Sequence, residues 1–306
     1  MHFSLENSDI VRKARETGGQ NLLIECICFY LVSVAVSAAV KILTGLVCAA
    51  ALYCSSSPQA GQALVRQLKQ ILPMAQIPLT ILIALAYCKW VQKRPLPTMG
   101  LRKQHWLSEY ALGGFLGMAM MTGIILICLL TGSIRIVPGS ACFGGSRLFW
   151  LFLCLLAFLI QGFSEEILFR GYFLTSLLRK ERNPWLAIAF SALAFSGAHL
   201  LNSGLNRLAL LNLFLFGVFA GVYLLKRGSL WGIAALHSLW NFTQGNLWGI
   251  RVSGSHFGPS LVEMEVSENL ALLNGGFFGM EGGLLCSFVL LAGILILLRL
   301  PQKETA

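Results

Sequence analysis

Three short stretches place ionisable and amide side chains inside runs that are otherwise apolar: Ser164-Glu165-Glu166 leading to Arg170, Phe195 leading to His199, and His237 leading to Asn241. On a helix, residues four apart stack on one face, so His237 and Asn241 point the same way and Arg170 reaches back to Glu166. With Glu166 held by Arg170, Glu165 is left for chemistry, and two adjacent carboxylates in a poorly solvated place resist ionising together. A Glu and a His sharing one water, with a second His and an Asn as donors to an oxyanion, make a kit for amide hydrolysis. A second option is a divalent metal such as zinc, held by Glu165, His199 and His237 with water in the open position. The HExxH spacing is missing, so the pattern does not demand a metal.

The elements that must carry these groups are membrane helices. The chain has 306 residues, 56% hydrophobic and 12% charged, with a mean hydropathy of +0.73. That is too apolar for an average soluble domain. Apolar runs near the roughly 20 residues needed to cross a bilayer predict about eight transmembrane helices, over 21–54, 71–91, 108–133, 147–178, 184–202, 207–225, 229–248 and 278–299. The expected organisation is all-α and polytopic: a cytoplasmic segment over 1–20, one membrane domain over 21–299 and a cytoplasmic tail over 300–306. The motif-bearing helices fall in 147–248 and enclose a buried polar chamber. The first span is overlong and contains Glu25 and Lys41, so it is expected to tilt, kink or split. Five glycines between 275 and 283 predict an irregular or re-entrant lead-in to the last helix.

The formal charge of +10 does not point to nucleic acid, because Lys and Arg are spread along short connectors. With an N-terminus in the cytoplasm and eight alternating spans, fifteen of them fall on the cytoplasmic side and six on the other. Both termini are therefore expected in the cytoplasm. Most of the nine Cys sit inside apolar runs as small hydrophobes, with Cys54 and Cys142 near loops. No disulfide framework is expected.

At a rise of about 1.5 Å per residue, Glu165, His199 and Asn241 each lie roughly 20 Å from the cytoplasmic end of their helices, and His237 roughly 14 Å. Three helices of alternating direction thus deliver polar groups to one layer.

These segments resemble the signature of the CPBP family, the CAAX-protease and bacteriocin-processing (Abi) group of intramembrane proteases that includes the Ras-converting CAAX endopeptidase. EExxxR matches Glu165, Glu166 and Arg170; FxxxH matches Phe195 and His199; HxxxN matches His237 and Asn241. The resemblance covers about residues 147 to 248. It implies that Glu165 with His199 activates water and that His237 with Asn241 forms the oxyanion site, and it leaves metal and metal-free options both open. The substrate it implies is a membrane-associated or lipidated protein or peptide. Short connectors resemble the prokaryotic members, in which self-immunity or maturation of secreted peptides replaces a CAAX substrate, at a plasma membrane.

Blander readings compete. The carboxylates and Arg170 can be an ion-paired cluster that pins helices, but two carboxylates for one Arg leave a charge unexplained. His199, His237, Asn241 and the weaker candidate Asn212 can be interhelical hydrogen-bonding residues. A non-catalytic immunity or scaffold protein would use the same fold, and a proton-coupled transporter would use buried Glu and His as a relay, although no internal repeat accompanies them. Glu25 and Lys41 are expected to pair or snorkel, Glu281 to sit in a loop, and Gly113, Gly114, Gly117, Gly217 and Gly221 to permit close helix packing.

Overall fold

The computed structural model describes residues 5–55, 57–59, 61–62, 65, 76–141 and 144–302. Arg66, Lys69, Cys142, Lys303 and the start of the span expected over 71–91 lie outside them. Leucine-, isoleucine- and phenylalanine-rich runs satisfy their backbone polar groups internally as α1 (Asp9–Glu16), α2 (Leu22–Tyr53), α3 (Gln76–Ala86), α4 (Trp106–Leu130) and α5 (Gly145–Glu166). They continue as α6 (Pro184–Ala198), α7 (Arg207–Arg227), α8 (Leu230–Phe242) and α9 (Leu284–Arg299). The protein is an all-α, polytopic membrane protein.

Among the described residues, four helical stretches are long and apolar enough to cross a bilayer: Leu23–Tyr53, Trp106–Leu130, Arg147–Leu178 and Arg207–Arg227. Other expected spans are shorter. The span expected over 184–202 stops at Ala198, because Asn202, Ser203 and Gly204 form a turn, with Gly204 at φ 75°. His199 therefore caps α6 instead of lying within it. The span expected over 278–299 begins at Leu284, after single 3-10 turns at Gly276–Phe278 and Met280–Gly282. Gly279, at φ 108°, has no room for a side chain, since a Cβ there would lie 2.0 Å from the Arg251 carbonyl oxygen.

The first span is one helix, not two. Asn21 caps α2 by accepting from the Ile24 amide at 2.9 Å, and large side chains such as Leu23, Leu31 and Ile42 stand exposed along it, as a lipid-facing helix requires. Its Glu25 is buried, 3.7 Å from the Arg179 guanidinium and accepting from Gln92 at 3.3 Å, so that pairing is structural. The polar segment expected over 1–20 is more than a tail. In α1, Ile10, Val11 and Ala14 share a buried face, Asp9 pairs with Lys13 at 3.0 Å and with Arg102, and the Ser8 hydroxyl donates to the Leu225 carbonyl at 2.7 Å. An amphipathic period places that face against the helix ends of the bundle.

The middle of the bundle is α8, almost wholly buried between α4 and α5. Small residues allow this approach. A Cβ at Gly113 would lie 1.8 Å from the Gly232 carbonyl oxygen, and one at Gly162 would lie 2.4 Å from the Ser238 hydroxyl. α6 packs on α7 in the same way at Gly217, and α7 on α9.

Two faces close the bundle. On the terminal face, the Leu230 amide donates to Gly100, Arg15 donates to the Arg182 carbonyl, and Lys226 donates to the Leu300 carbonyl. On the opposite face, β1 (Ile134–Ile136) pairs antiparallel with β2 (Met264–Val266), placing Arg135 opposite Glu265. Asn274 donates to the Ser133 carbonyl there, and Asn202 to the Ser253 carbonyl, so the chain between α8 and α9 forms a cap.

Candidate active site

Under the cap lies a cavity of about 480 Å³, lined by Glu165, His199, His237 and Asn241 together with apolar walls from Phe158, Phe195, Phe216 and Trp240. The four polar groups come from α5, the cap of α6 and α8. Sequence-distant residues thus converge.

Glu165 lies on the last turn of α5 with one carboxylate oxygen accepting from the Gln161 side-chain amide. Its other oxygen, Oε2, is buried, has no hydrogen-bond partner and faces His237 Nε2 at 3.8 Å. Gln161 stands one turn earlier on the same face, and its own carbonyl oxygen accepts from the Asn241 amide at 3.1 Å. One amide therefore ties Glu165 to Asn241. Sequence reading missed Gln161, although a polar residue four before Glu165 in the apolar stretch from Phe149 to Phe163 was a signal in plain view.

Glu166 and Arg170 do not line the cavity; they lie behind it, fully buried. Glu166 Oε1 accepts from Arg170 at 3.1 Å and from His237 Nδ1 at 2.8 Å. Its carboxylate thereby fixes the ring so that Nε2 turns toward Glu165. Immediately after Glu166 the helix widens into a π-helical stretch, Ile167–Leu174, before a last turn at Thr175–Leu178. Such widening is frequent at functional sites. Arg170 projects from it into an aromatic nest, its guanidinium carbon 4.4 Å from the Phe195 ring centre and 5.8 Å from that of Phe216. Cation–π contact supplies what those donors lack in hydrogen bonds.

Phe195 also places His199. Its ring lies 4.8 Å from the imidazole, and its carbonyl, near the end of α6, receives the proton of His199 Nδ1 at 2.9 Å. A carbonyl can only accept, so Nδ1 carries the hydrogen and Nε2 keeps its lone pair. His199 is thus a preset acceptor lining the same cavity as the unpaired oxygen of Glu165.

Asn212 plays another part. Its amide donates to the carbonyls of Glu281 and Gly283 at 2.8 and 2.9 Å, and its oxygen accepts from Ser287 at 2.6 Å, pinning the irregular lead-in to α9. That lead-in is irregular, in keeping with the loop position expected for Glu281, and it turns Glu281 inward to line the cavity. Among the described residues, no three His, Cys, Asp or Glu side chains converge as a metal-holding group, so Glu165, His199 and His237 do not fit a metal in this arrangement.

Residues 147–243 match the family model described as type II CAAX prenyl endopeptidase Rce1-like. The matched segment is similar to Rce1-like domains. It contains all three motifs, in agreement with the CPBP and CAAX-protease resemblance, and it supports a CAAX-type intramembrane protease in general. No curated protein and no solved structure matches the chain. The matched segment covers α5 to α8, so the cap and α9 complete the cavity from outside it.

Proposed function

We propose that the chain is an intramembrane endopeptidase that hydrolyses a peptide bond of a membrane-associated or lipidated protein or peptide. The observation that carries this is the meeting, in one cavity, of an unpaired carboxylate oxygen, a histidine acceptor and a carboxylate-held histidine beside an asparagine amide.

Glu165 Oε2 takes one proton of an attacking water and His199 Nε2 accepts a hydrogen bond from the other, while the water oxygen bonds to the scissile carbonyl carbon. The oxyanion that forms is met by the Asn241 amide and by His237. Glu166 accepts from Nδ1 and leaves Nε2 of His237 turned into the cavity, where donation to the oxyanion uses the imidazolium form. Collapse returns the proton from Glu165 to the leaving nitrogen, and the C–N bond breaks. Glu166 and Arg170 are positioning residues: they act through His237. Gln161 orients Glu165 and Asn241 together. The reaction so written uses side chains and water alone.

The single membrane domain over 21–299, a prokaryotic plasma membrane, cytoplasmic termini and a role in immunity toward, or maturation of, secreted peptides belong to the same proposal, supported by the bias of basic connectors. The deciding experiment compares wild type with Glu165→Gln in the native host and quantifies membrane-proteome peptide termini by mass spectrometry. Specific termini that vanish in the variant at equal protein level support proteolysis and name the substrate. An unchanged set of termini, with full rescue of any phenotype by the variant, would sink catalysis and leave a binding role.

A further inference from the structure

The Rce1-like reading uses one carboxylate of the cavity and leaves another without a task. Glu281 is 8% exposed and lines the same cavity from the cap side. Its Oε2 accepts from the Gln244 amide at 2.6 Å, the Ser253 hydroxyl lies 3.5 Å from its Oε1, and the backbone amides of Ser253 and Glu281 also face the carboxylate. These are dipoles; the neighbouring group that can carry positive charge is His237, which Glu166 and Glu165 already engage. The basic residue closest in the cap, Arg251, is turned elsewhere: its guanidinium stacks 3.9 Å from the Phe277 ring centre and donates to the Gly254 carbonyl. Among the described residues, no Lys or Arg lines the cavity, whereas two carboxylates do.

A buried carboxylate is costly unless a charge partner or several donors face it. Here the fold spends effort to keep one in place. Asn212 holds the backbone at 281, glycines with no room for a Cβ surround the turn, and Gln244 is itself fixed by donating to the Arg251 carbonyl at 2.6 Å. A cleft of one charge sign with apolar walls concentrates the opposite charge.

We propose that Glu281 is a specificity-determining residue that receives a cationic side chain, lysine or arginine, of the peptide bound at the Glu165 site. This deepens the endopeptidase reading and rests on it for the peptide nature of the ligand. The substrate class is a membrane-associated peptide whose basic residue lies close to the scissile bond. The amide of Gln244 and the hydroxyl of Ser253 hold the carboxylate at the mouth of this subsite, and the incoming ammonium or guanidinium completes the charge-assisted hydrogen bonding that the cap leaves open.

The test measures binding and cleavage separately. Dansylated, palmitoylated peptides identical except for a central Lys, norleucine or Glu are titrated into lipid nanodiscs carrying the full chain with Glu165→Gln, which blocks turnover. The lysine peptide is expected to bind about tenfold more tightly than the norleucine peptide. Adding Glu281→Gln removes that preference, and adding Glu281→Lys transfers it to the Glu peptide, a gain that a misfolded variant does not produce. Equal affinity for the three peptides, no binding of the lysine peptide, or a lysine preference that survives Glu281→Gln overturns the assignment. Wild type is then given the same lysine peptide. Lysine-selective binding without cleavage counts against the endopeptidase reading and leaves the subsite standing, whereas cleavage without lysine preference does the reverse.

Discussion

The cavity has two unlike walls. One is built from α5, α6 and α8, where Glu165, His199, His237 and Asn241 are held by one another's neighbours: Gln161 links two of them, Glu166 a third, and the Phe195 carbonyl the fourth. The other is the cap, where Glu281 is held by side-chain amides and a tightly packed glycine-rich turn. The helical wall presets acceptors and donors for a reaction; the cap wall presents a charge and waits for its opposite. Regular helices suit the first task because a fixed rise and turn set the mutual geometry of groups four apart. An irregular segment suits the second because a loop can be altered without disturbing the bundle.

The comparison can be broken most severely at the helical wall. Glu165→Gln removes the acceptor for the water's proton and is expected to lower turnover about 10²- to 10⁴-fold, read as loss of specific peptide termini, with thermal stability retained. Glu166→Ala leaves Arg170 and His237 without their carboxylate in a fully buried place. It should destabilise the protein by about 3–5 kcal/mol, measured as a lowered unfolding midpoint in detergent. On the cap wall, Gln244→Ala strips one donor from Glu281 and from the Arg251 carbonyl, with an expected cost of about 1–3 kcal/mol. An equal or larger loss than for Glu166→Ala would erase the distinction between the walls. The smallest expected effect sharpens the chemistry: dialysis against a zinc chelator should leave the rate unchanged if water is activated by side chains alone, and a loss restored by zinc would require a different arrangement of Glu165, His199 and His237.

What was legible in the sequence follows the same division. EExxxR, FxxxH and HxxxN lie on or at the ends of helices, so their spacing translated directly into shared faces, and the close-packing glycines of α4 and α7 were equally readable. Gln161 was readable by the same rule and was passed over. The cap was opaque because its geometry depends on contacts between segments far apart in the chain, such as Asn212 with Glu281 and Asn274 with Ser133. Neither the β1–β2 pair nor the inward turn of Glu281 leaves a periodic trace. The helix in 1–20 was hidden for another reason: its buried face is only Ile10, Val11 and Ala14, too few to stand out against a polar background.

The shortness of α6 has an effect on the surroundings of the protein. Its 15 residues rise about 22 Å, against roughly 30 Å of hydrocarbon in a typical bilayer. α9, with 16 residues, falls short as well, while α4 at 25 residues does not. Lipid beside α6 and α9 must thin or bend to match them, whereas lipid beside α4 has no such demand. Thinning beside α6 would bring the bilayer surface closer to His199, which caps that helix.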